Sequence, residues 1–199
     1  MNGDKKLVIL FHGVGSDGAN LASLGQMWQA NLPALAYEAP DGPEPCGMGF
    51  QWFDLHGVTA ANRPARIEAA RPAFDAKVTA ILAAHGLTDR LDRVAFAGFS
   101  QGSMMALDAV ASGRWPVAGL VAYSGRLASP TPLTPSKATR VLLLHGEADA
   151  VVPAEESVLA EQTLSTAGLT VQSRVFPALG HSINREGALM GAHFLRALF

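Results

Sequence analysis

Residues 93–102 read Arg-Val-Ala-Phe-Ala-Gly-Phe-Ser-Gln-Gly and decide the fold of this chain. The apolar run at 93–97 predicts a buried strand, and the apolar segment after the serine predicts a helix. Between them, Gly98, Ser100 and Gly102 form a G-x-S-x-G pattern, in which small glycines let a tight turn lift the serine out of the sheet. The alternative is a glycine-rich turn with an inactive serine. Because strand, turn and helix occur in the required order, we predict Ser100 to be a nucleophile.

The rest of the chain repeats this alternation of strand and helix. Apolar runs rich in β-branched residues predict further strands at 7–11, 117–122, 141–144 and 171–176. Segments with helical spacing, bounded by glycine or proline, predict helices at 65–84, 104–111, 155–167 and 185–198. Such alternation requires right-handed crossovers, so we predict a parallel sheet with helices on both faces. The ligand site should lie at the carboxyl ends of the strands.

The composition is that of a globular protein. At 199 residues the chain is long enough for one sizeable core, so we predict a single domain over residues 1–199. The net charge of -2 comes without a basic stripe, so we expect no nucleic-acid partner. The first apolar run, 7–11, is far shorter than a membrane span or a signal-peptide core, so we expect a cytoplasmic protein without an integral membrane segment. Cys46 is the only cysteine, which excludes an intrachain disulfide.

Two stretches rich in proline, glycine and serine interrupt the alternation, at 40–63 and 124–139. We predict that both are loops over the site. The second stretch is too short to fold as a helical lid. We therefore expect no large cap domain and an open cleft.

A reactive serine needs a base to remove its proton, and that base needs an acid to orient it. In folds with this serine turn, the chain order is nucleophile, acid, histidine, each on a loop after a strand. Asp149 follows the predicted strand 141–144 and is our candidate acid. Glu147 is the nearest competitor, and a helix cap is the alternative role for Asp149.

His181 completes the order, because it follows the β-rich segment 171–176. It is therefore the candidate base. Of the other histidines, His56 and His85 follow no buried strand, and His193 lies inside the last predicted helix.

The loop after the first strand, 12–18, contains three glycines that let its backbone approach a substrate. Folds of this kind place there a backbone N–H that faces the developing oxyanion. We predict that the amides of Val14 and Gln101 are the two donors and that the His12 side chain braces the loop. The chain has no phosphate-binding glycine motif and no H-E-x-x-H metal motif, so we expect no cofactor and no metal.

Five segments together resemble the phospholipase/carboxylesterase family of α/β hydrolases, which includes the acyl-protein thioesterases. The resemblance extends from about Leu7 to the C-terminus in the family's order, and the combination is more specific than any single motif. The segments are 11–18, 51–54, 98–102, 145–153 and 180–182.

The resemblance implies an α/β-hydrolase fold and hydrolysis of esters or thioesters through an acyl-enzyme. It also implies a mostly parallel sheet of six to seven strands, because the chain starts almost at the strand before the oxyanion loop. Trp52 and Phe53 would then line the substrate cleft. Core packing of these two aromatic rings is an equally supported alternative.

We therefore predict that Ser100 attacks a carbonyl of a small or lipid-like acyl ester, with His181 as general base and Asp149 as its partner. A lysophospholipase or a peptidase is the nearest alternative among enzymes. A binding protein that keeps the fold without catalysis is the alternative from another class. A homodimer is conceivable because the family and the apolar loop residues allow one.

Overall fold

The computed structural model describes residues 5–199 and contains a central sheet of six parallel strands. Its strands are β1 (Lys6–Phe11), β2 (Leu35–Glu38), β5 (Val94–Phe99), β6 (Gly119–Tyr123), β7 (Arg140–Gly146) and β8 (Thr170–Phe176). A separate hairpin consists of β3 (Glu44–Cys46) and β4 (Gly49–Gln51). The strand order β2-β1-β5-β6-β7-β8 confirms the predicted parallel sheet of six to seven strands.

Five α-helices cover both faces of this sheet. They are α1 (Gly18–Gln29), α2 (Arg63–His85), α3 (Gln101–Ala111), α4 (Glu155–Thr166) and α5 (Arg185–Leu198). Side chains alternate along β1, so Leu7 and Ile9 pack into the core under α2, α3 and α4, whereas Val8 and Leu10 pack under α1 and α5. The sheet is therefore buried on both faces, which explains why its strands are continuous apolar runs.

The strand order reverses between β1 and β5, which are direct neighbours in the sheet. In open α/β sheets, this is the place where the carboxyl ends of the strands leave a crevice for a ligand. Ser100 directly follows β5, and the loop 12–17 directly follows β1. The fold therefore brings the turn at Ser100, here called the serine turn, next to the loop 12–17, here called the glycine loop.

Three elements differ from the predictions. Helix α1 and the short edge strand β2 were not predicted. The loop 40–63 contains the β3–β4 hairpin, which is joined to the glycine loop by a bridge between Ser16 and Phe50. Residues 124–139, all of them described, contain no helix, in agreement with the expected absence of a helical lid.

No helix within residues 5–199 combines the length and the apolar character needed to cross a membrane. The domain prediction covers residues 1–199, and its first four residues lie outside the described part of the chain.

Candidate active site

Ser100 occupies a sharp turn between β5 and α3. Its backbone has φ 53 and ψ -117, a region that non-glycine residues rarely adopt and that costs about 1–3 kcal/mol. Two glycines permit the turn. A Cβ on Gly102 would lie 2.0 Å from the carbonyl oxygen of Phe11, and a Cβ on Gly98 would lie 2.6 Å from the amide nitrogen of Ser103. Both glycines of the sequence pattern are therefore required by close approach of the backbone.

Ser100, His181 and Asp149 form a continuous chain of hydrogen bonds. The His181 Nε2 atom lies 2.9 Å from Ser100 Oγ, and His181 Nδ1 lies 2.7 Å from Asp149 Oδ2. Because a carboxylate only accepts hydrogen bonds, Nδ1 carries a proton and Nε2 can accept the hydroxyl proton of the serine. The structure thus brings together three residues that lie on three separate loops of the chain.

The carboxylate of Asp149 is buried and held from several sides. Its Oδ1 atom accepts hydrogen bonds from the backbone N–H groups of Val151 and Val152, each at 2.9 Å. Burial by itself would raise the pKa of Asp149, but the hydrogen bonds from His181 and from these two amides outweigh burial, so the pKa is lowered. Asp149 therefore remains a carboxylate that faces His181. Glu147, the competing acid in the sequence, is exposed.

His145 lies behind Asp149 and was given no role from the sequence. This buried residue lies one position before the end of β7, and its Nε2 atom lies 2.8 Å from the carbonyl oxygen of Val152 and 3.3 Å from Asp149 Oδ2. Its Nδ1 atom lies 2.6 Å from Ser157 Oγ. Since a carbonyl only accepts, Nε2 carries the proton and donates it to the Val152 carbonyl, while the same N–H group lies close to the Asp149 carboxylate. The available signal was its position at a strand end four residues before the candidate acid.

The two candidate oxyanion donors have no hydrogen-bond partner within the described part of the chain. The backbone N–H groups of Val14 and Gln101 donate no hydrogen bond to any described residue. The glycine loop also approaches the serine closely, because a Cβ on Gly13 would lie 3.3 Å from Ser100 Cβ. The arrangement leaves two unsatisfied donors beside the serine, which is the requirement for stabilising an oxyanion.

The side chain of Gln101 has a second, unpredicted role. Its Oε1 atom accepts a hydrogen bond from the Trp52 amide at 2.8 Å, and its Nε2 atom donates to the Phe53 carbonyl at 2.7 Å. The residue after the serine therefore ties the loop 52–62 to the start of α3. His12 braces the glycine loop as predicted, because its Nε2 atom accepts a hydrogen bond from the Gly42 amide at 2.8 Å.

Trp52 and Phe53 lie in the core. They are 1% and 4% exposed, and the Trp52 ring packs 5.5 Å from the rings of Phe11 and Phe74. The Trp52 indole N–H donates to the His12 carbonyl at 2.9 Å. This burial favours the packing alternative over contact with substrate.

The remaining histidines do not join the site. His85 pairs with Glu38 at 2.7 Å, and His56 is exposed. Within residues 5–199 there is no group of three or more histidine, cysteine and acidic side chains placed to hold a metal ion.

The sheet order, the strained serine turn and the hydrogen-bonded histidine define an α/β hydrolase of the serine type. The comparison with known families agrees. The chain belongs to the phospholipase/carboxylesterase family, whose model matches residues 2–199.

Individual relatives are named as esterases and thioesterases. The chain is 32% identical over 194 residues to Esterase YpfH of Escherichia coli, covering 96% of this chain and 82% of the relative. It is 26% identical over 198 residues to Acyl-protein thioesterase 1 of Neurospora crassa, covering 88% and 79%. The solved structure of esterase PE8 superposes with a TM-score of 0.85 at 34% identity, covering 98% of this chain and 93% of the other.

Proposed function

We propose that this protein hydrolyses carboxylic esters or thioesters through an acyl-enzyme on Ser100. The observation that carries the proposal is the hydrogen-bonded chain from Ser100 through His181 to Asp149, beside two unpartnered amides. His181 Nε2 removes the hydroxyl proton as Ser100 attacks the carbonyl carbon. It then protonates the leaving alcohol or thiol. A water molecule, activated by the same nitrogen, releases the acid.

Asp149 would hold His181 in the tautomer that this mechanism needs. The carboxylate stabilises the imidazolium that forms when His181 takes the proton, and it does not itself become protonated. The amides of Val151 and Val152 and the ring of His145 keep the carboxylate in place. His145 thus acts through Asp149 as a positioning residue.

The amides of Val14 and Gln101 would stabilise the oxyanion of the tetrahedral intermediate. Two fixed donors in a crevice need no reorganisation when negative charge develops, so each one lowers the barrier. The Gln101 side chain and the His12 ring support this geometry by fixing both loops.

The substrate class follows from the family and from the open edge of the sheet. Residues 124–139 form no helix over the site, so small and lipid-like acyl esters both have access. Lysophospholipase activity remains the nearest alternative. A single domain over residues 1–199, a cytoplasmic location and a possible homodimer remain predictions.

A labelling and turnover experiment tests the proposal. Wild type and Ser100→Ala are mixed with a fluorophosphonate probe and with a short-chain nitrophenyl ester. Only wild type should be labelled and release product, because the alanine has no nucleophile. A set of acetyl thioesters and amides then separates a thioesterase from a peptidase.

Ser124→Ala is the matched control. Ser124 also follows a strand, is buried and has a positive φ of 47, but its hydroxyl has no partner among the described residues. This variant should keep labelling and turnover. Turnover by Ser100→Ala, or no reaction of wild type with any ester, would contradict the proposal and favour a non-catalytic binding protein.

A further inference from the structure

A groove opens beside His181, on the face of the sheet that α1 and α5 cover. It has a volume of about 790 Å³ and lies between α1 and the first turn of α5. Phe99 and His181 are among its lining residues, and so are the buried Leu21, Leu24 and Ala188. The groove therefore reaches the reactive histidine.

The residue that precedes the nucleophile, Phe99, lines this groove together with His181. The ring of Phe99 packs 4.8 Å from the ring of His181. The Nε2 atom of the same histidine lies 2.9 Å from Ser100 Oγ. A group that departs from a carbonyl bound at Ser100 must accept its proton from this nitrogen, so it starts beside His181, which lines the groove.

We propose that this groove binds the alcohol or thiol portion of the substrate and selects an apolar leaving group. The inference rests on the proposed function, because only a substrate attacked by Ser100 places its leaving group beside His181. The acyl portion, which stays on Ser100, then lies outside the groove.

The chemistry of the lining supports an uncharged, apolar occupant. Met27 and Leu189, which are 45% and 38% exposed, offer apolar surface at the rim. Asn20 and Ser23 add neutral polar groups. Among the described residues that line the groove, Arg185 is the one with a formal charge, and none carries a carboxylate that could pair with a cationic alcohol. Each methylene buried there should raise affinity about fourfold.

The first test varies the alcohol while the acyl group stays constant. Acetate esters from methyl to hexyl are compared by kcat/KM, because the leaving group departs during acylation. Wild type should favour hexyl over methyl by at least tenfold. Ser23→Trp fills the groove and should remove this preference. Gln29→Trp, at an exposed position of α1 outside the groove, should keep it.

A second variant avoids dependence on a bulky side chain. Leu189→Asp places a charge at the rim and should lower the ratio of kcat/KM for hexyl acetate to that for methyl acetate about tenfold. Leu159→Asp is its control, because Leu159 is an exposed leucine on α4, outside the lining of this groove.

Acyl transfer gives an independent readout. When hexan-1-ol is added, its oxygen attacks the acyl-enzyme, the bond to Ser100 Oγ breaks, and His181 passes the alcohol proton to Ser100. Hexyl acetate then forms in competition with acetate. Ser23→Trp and Leu189→Asp should each lower the ratio of transfer to hydrolysis about tenfold, and Gln29→Trp and Leu159→Asp should leave this ratio unchanged.

Two results would overturn the groove assignment alone. In the first, both groove variants keep the alcohol preference and the transfer ratio of wild type. In the second, the groove variants lose the preference for acyl length when the alcohol of the ester is held constant. A wild-type protein that hydrolyses no ester would overturn the proposed function, and the groove assignment with it.

Discussion

Asp108 and Asp149 are both buried carboxylates with a lowered pKa, yet their surroundings differ. Asp108, on α3, accepts two hydrogen bonds from Arg71, at 2.9 and 3.0 Å, and one from Arg114 at 2.8 Å. Asp149 accepts from two backbone amides and from the ring of His181. Two permanent cations neutralise Asp108, whereas no arginine or lysine within residues 5–199 pairs with Asp149.

This difference separates a structural carboxylate from one suited to catalysis. Burial by itself would raise the pKa of Asp108, but the hydrogen bonds and charges of Arg71 and Arg114 outweigh it. The ion pair between Arg71 and Asp108 therefore links α2 to α3. Asp149 keeps its negative charge without a permanent cation, so it can stabilise the positive charge that His181 acquires during a reaction.

The largest expected effect is on activity, at Asp149. Asp149→Asn should lower kcat by about 10⁴-fold, because the amide favours the wrong tautomer of His181 and cannot stabilise the imidazolium. Steady-state hydrolysis of a nitrophenyl ester measures this change. Glu147→Gln is the control and should retain full activity, because Glu147 is exposed. Loss of activity in Glu147→Gln but not in Asp149→Asn would reverse the assignment.

The second expected effect is on stability, at Asp108. Asp108→Asn should lower the free energy of unfolding by about 3 kcal/mol, because it leaves Arg71 and Arg114 without their buried anion. Urea unfolding measures the loss, and kcat of the folded variant should stay within about twofold. Asp92→Asn should leave stability unchanged, since its ion pair with Arg90 is exposed. A stable but inactive Asp108→Asn variant would contradict the interpretation of Asp108 as a structural carboxylate.

A smaller effect on activity is expected at His145. His145→Phe should lower kcat about tenfold and leave KM unchanged, because it removes the polar N–H group that lies 3.3 Å from Asp149 Oδ2. A tenfold loss of rate corresponds to about 1.4 kcal/mol. His145→Gln should recover much of the rate, since its amide can still donate towards Asp149. Equal activity of wild type and His145→Phe would exclude a positioning role. An equal loss of kcat in His145→Phe and His145→Gln would indicate a purely structural role for His145.

The smallest expected effect is in the pH dependence of stability. The pKa of Asp108 is lower in the folded chain than the value of about 3.9 in an unfolded chain. The unfolded chain therefore binds more protons at acidic pH, and the free energy of unfolding falls as the pH decreases below about 4. Urea unfolding at pH 6 and pH 3 should show a smaller acid loss in Asp108→Asn than in wild type. An equal loss of unfolding free energy in both proteins would show that Asp108 does not contribute to the acid dependence of stability.

Local signals predicted the residues that form the hydrogen-bonded chain. Ser100, Asp149 and His181 each follow a strand, and the carboxyl ends of parallel strands meet at one edge of the sheet. Their order along the chain was therefore sufficient to expect them together. Their catalytic roles remain the proposal that the variants above test.

Helix α1 was harder to predict, because its sequence begins with Gly18 and contains Gly25, and glycine weakens a helix. The structure gives a tertiary reason for Gly25. A Cβ there would lie 3.2 Å from Cβ of Tyr37, so the small residue lets α1 approach β2 closely. The sequence of α1 alone does not reveal this contact, because Tyr37 lies on another element.

The sequence by itself determined the alternating fold, the family and the order of nucleophile, acid and histidine, because these depend on periodicity and on short motifs. Only the tertiary structure decided the placement of Trp52 in the core, the support of Asp149 by His145, and the groove beside His181. Each of these features is made by side chains from separate segments, and its geometry exists only after the segments pack together.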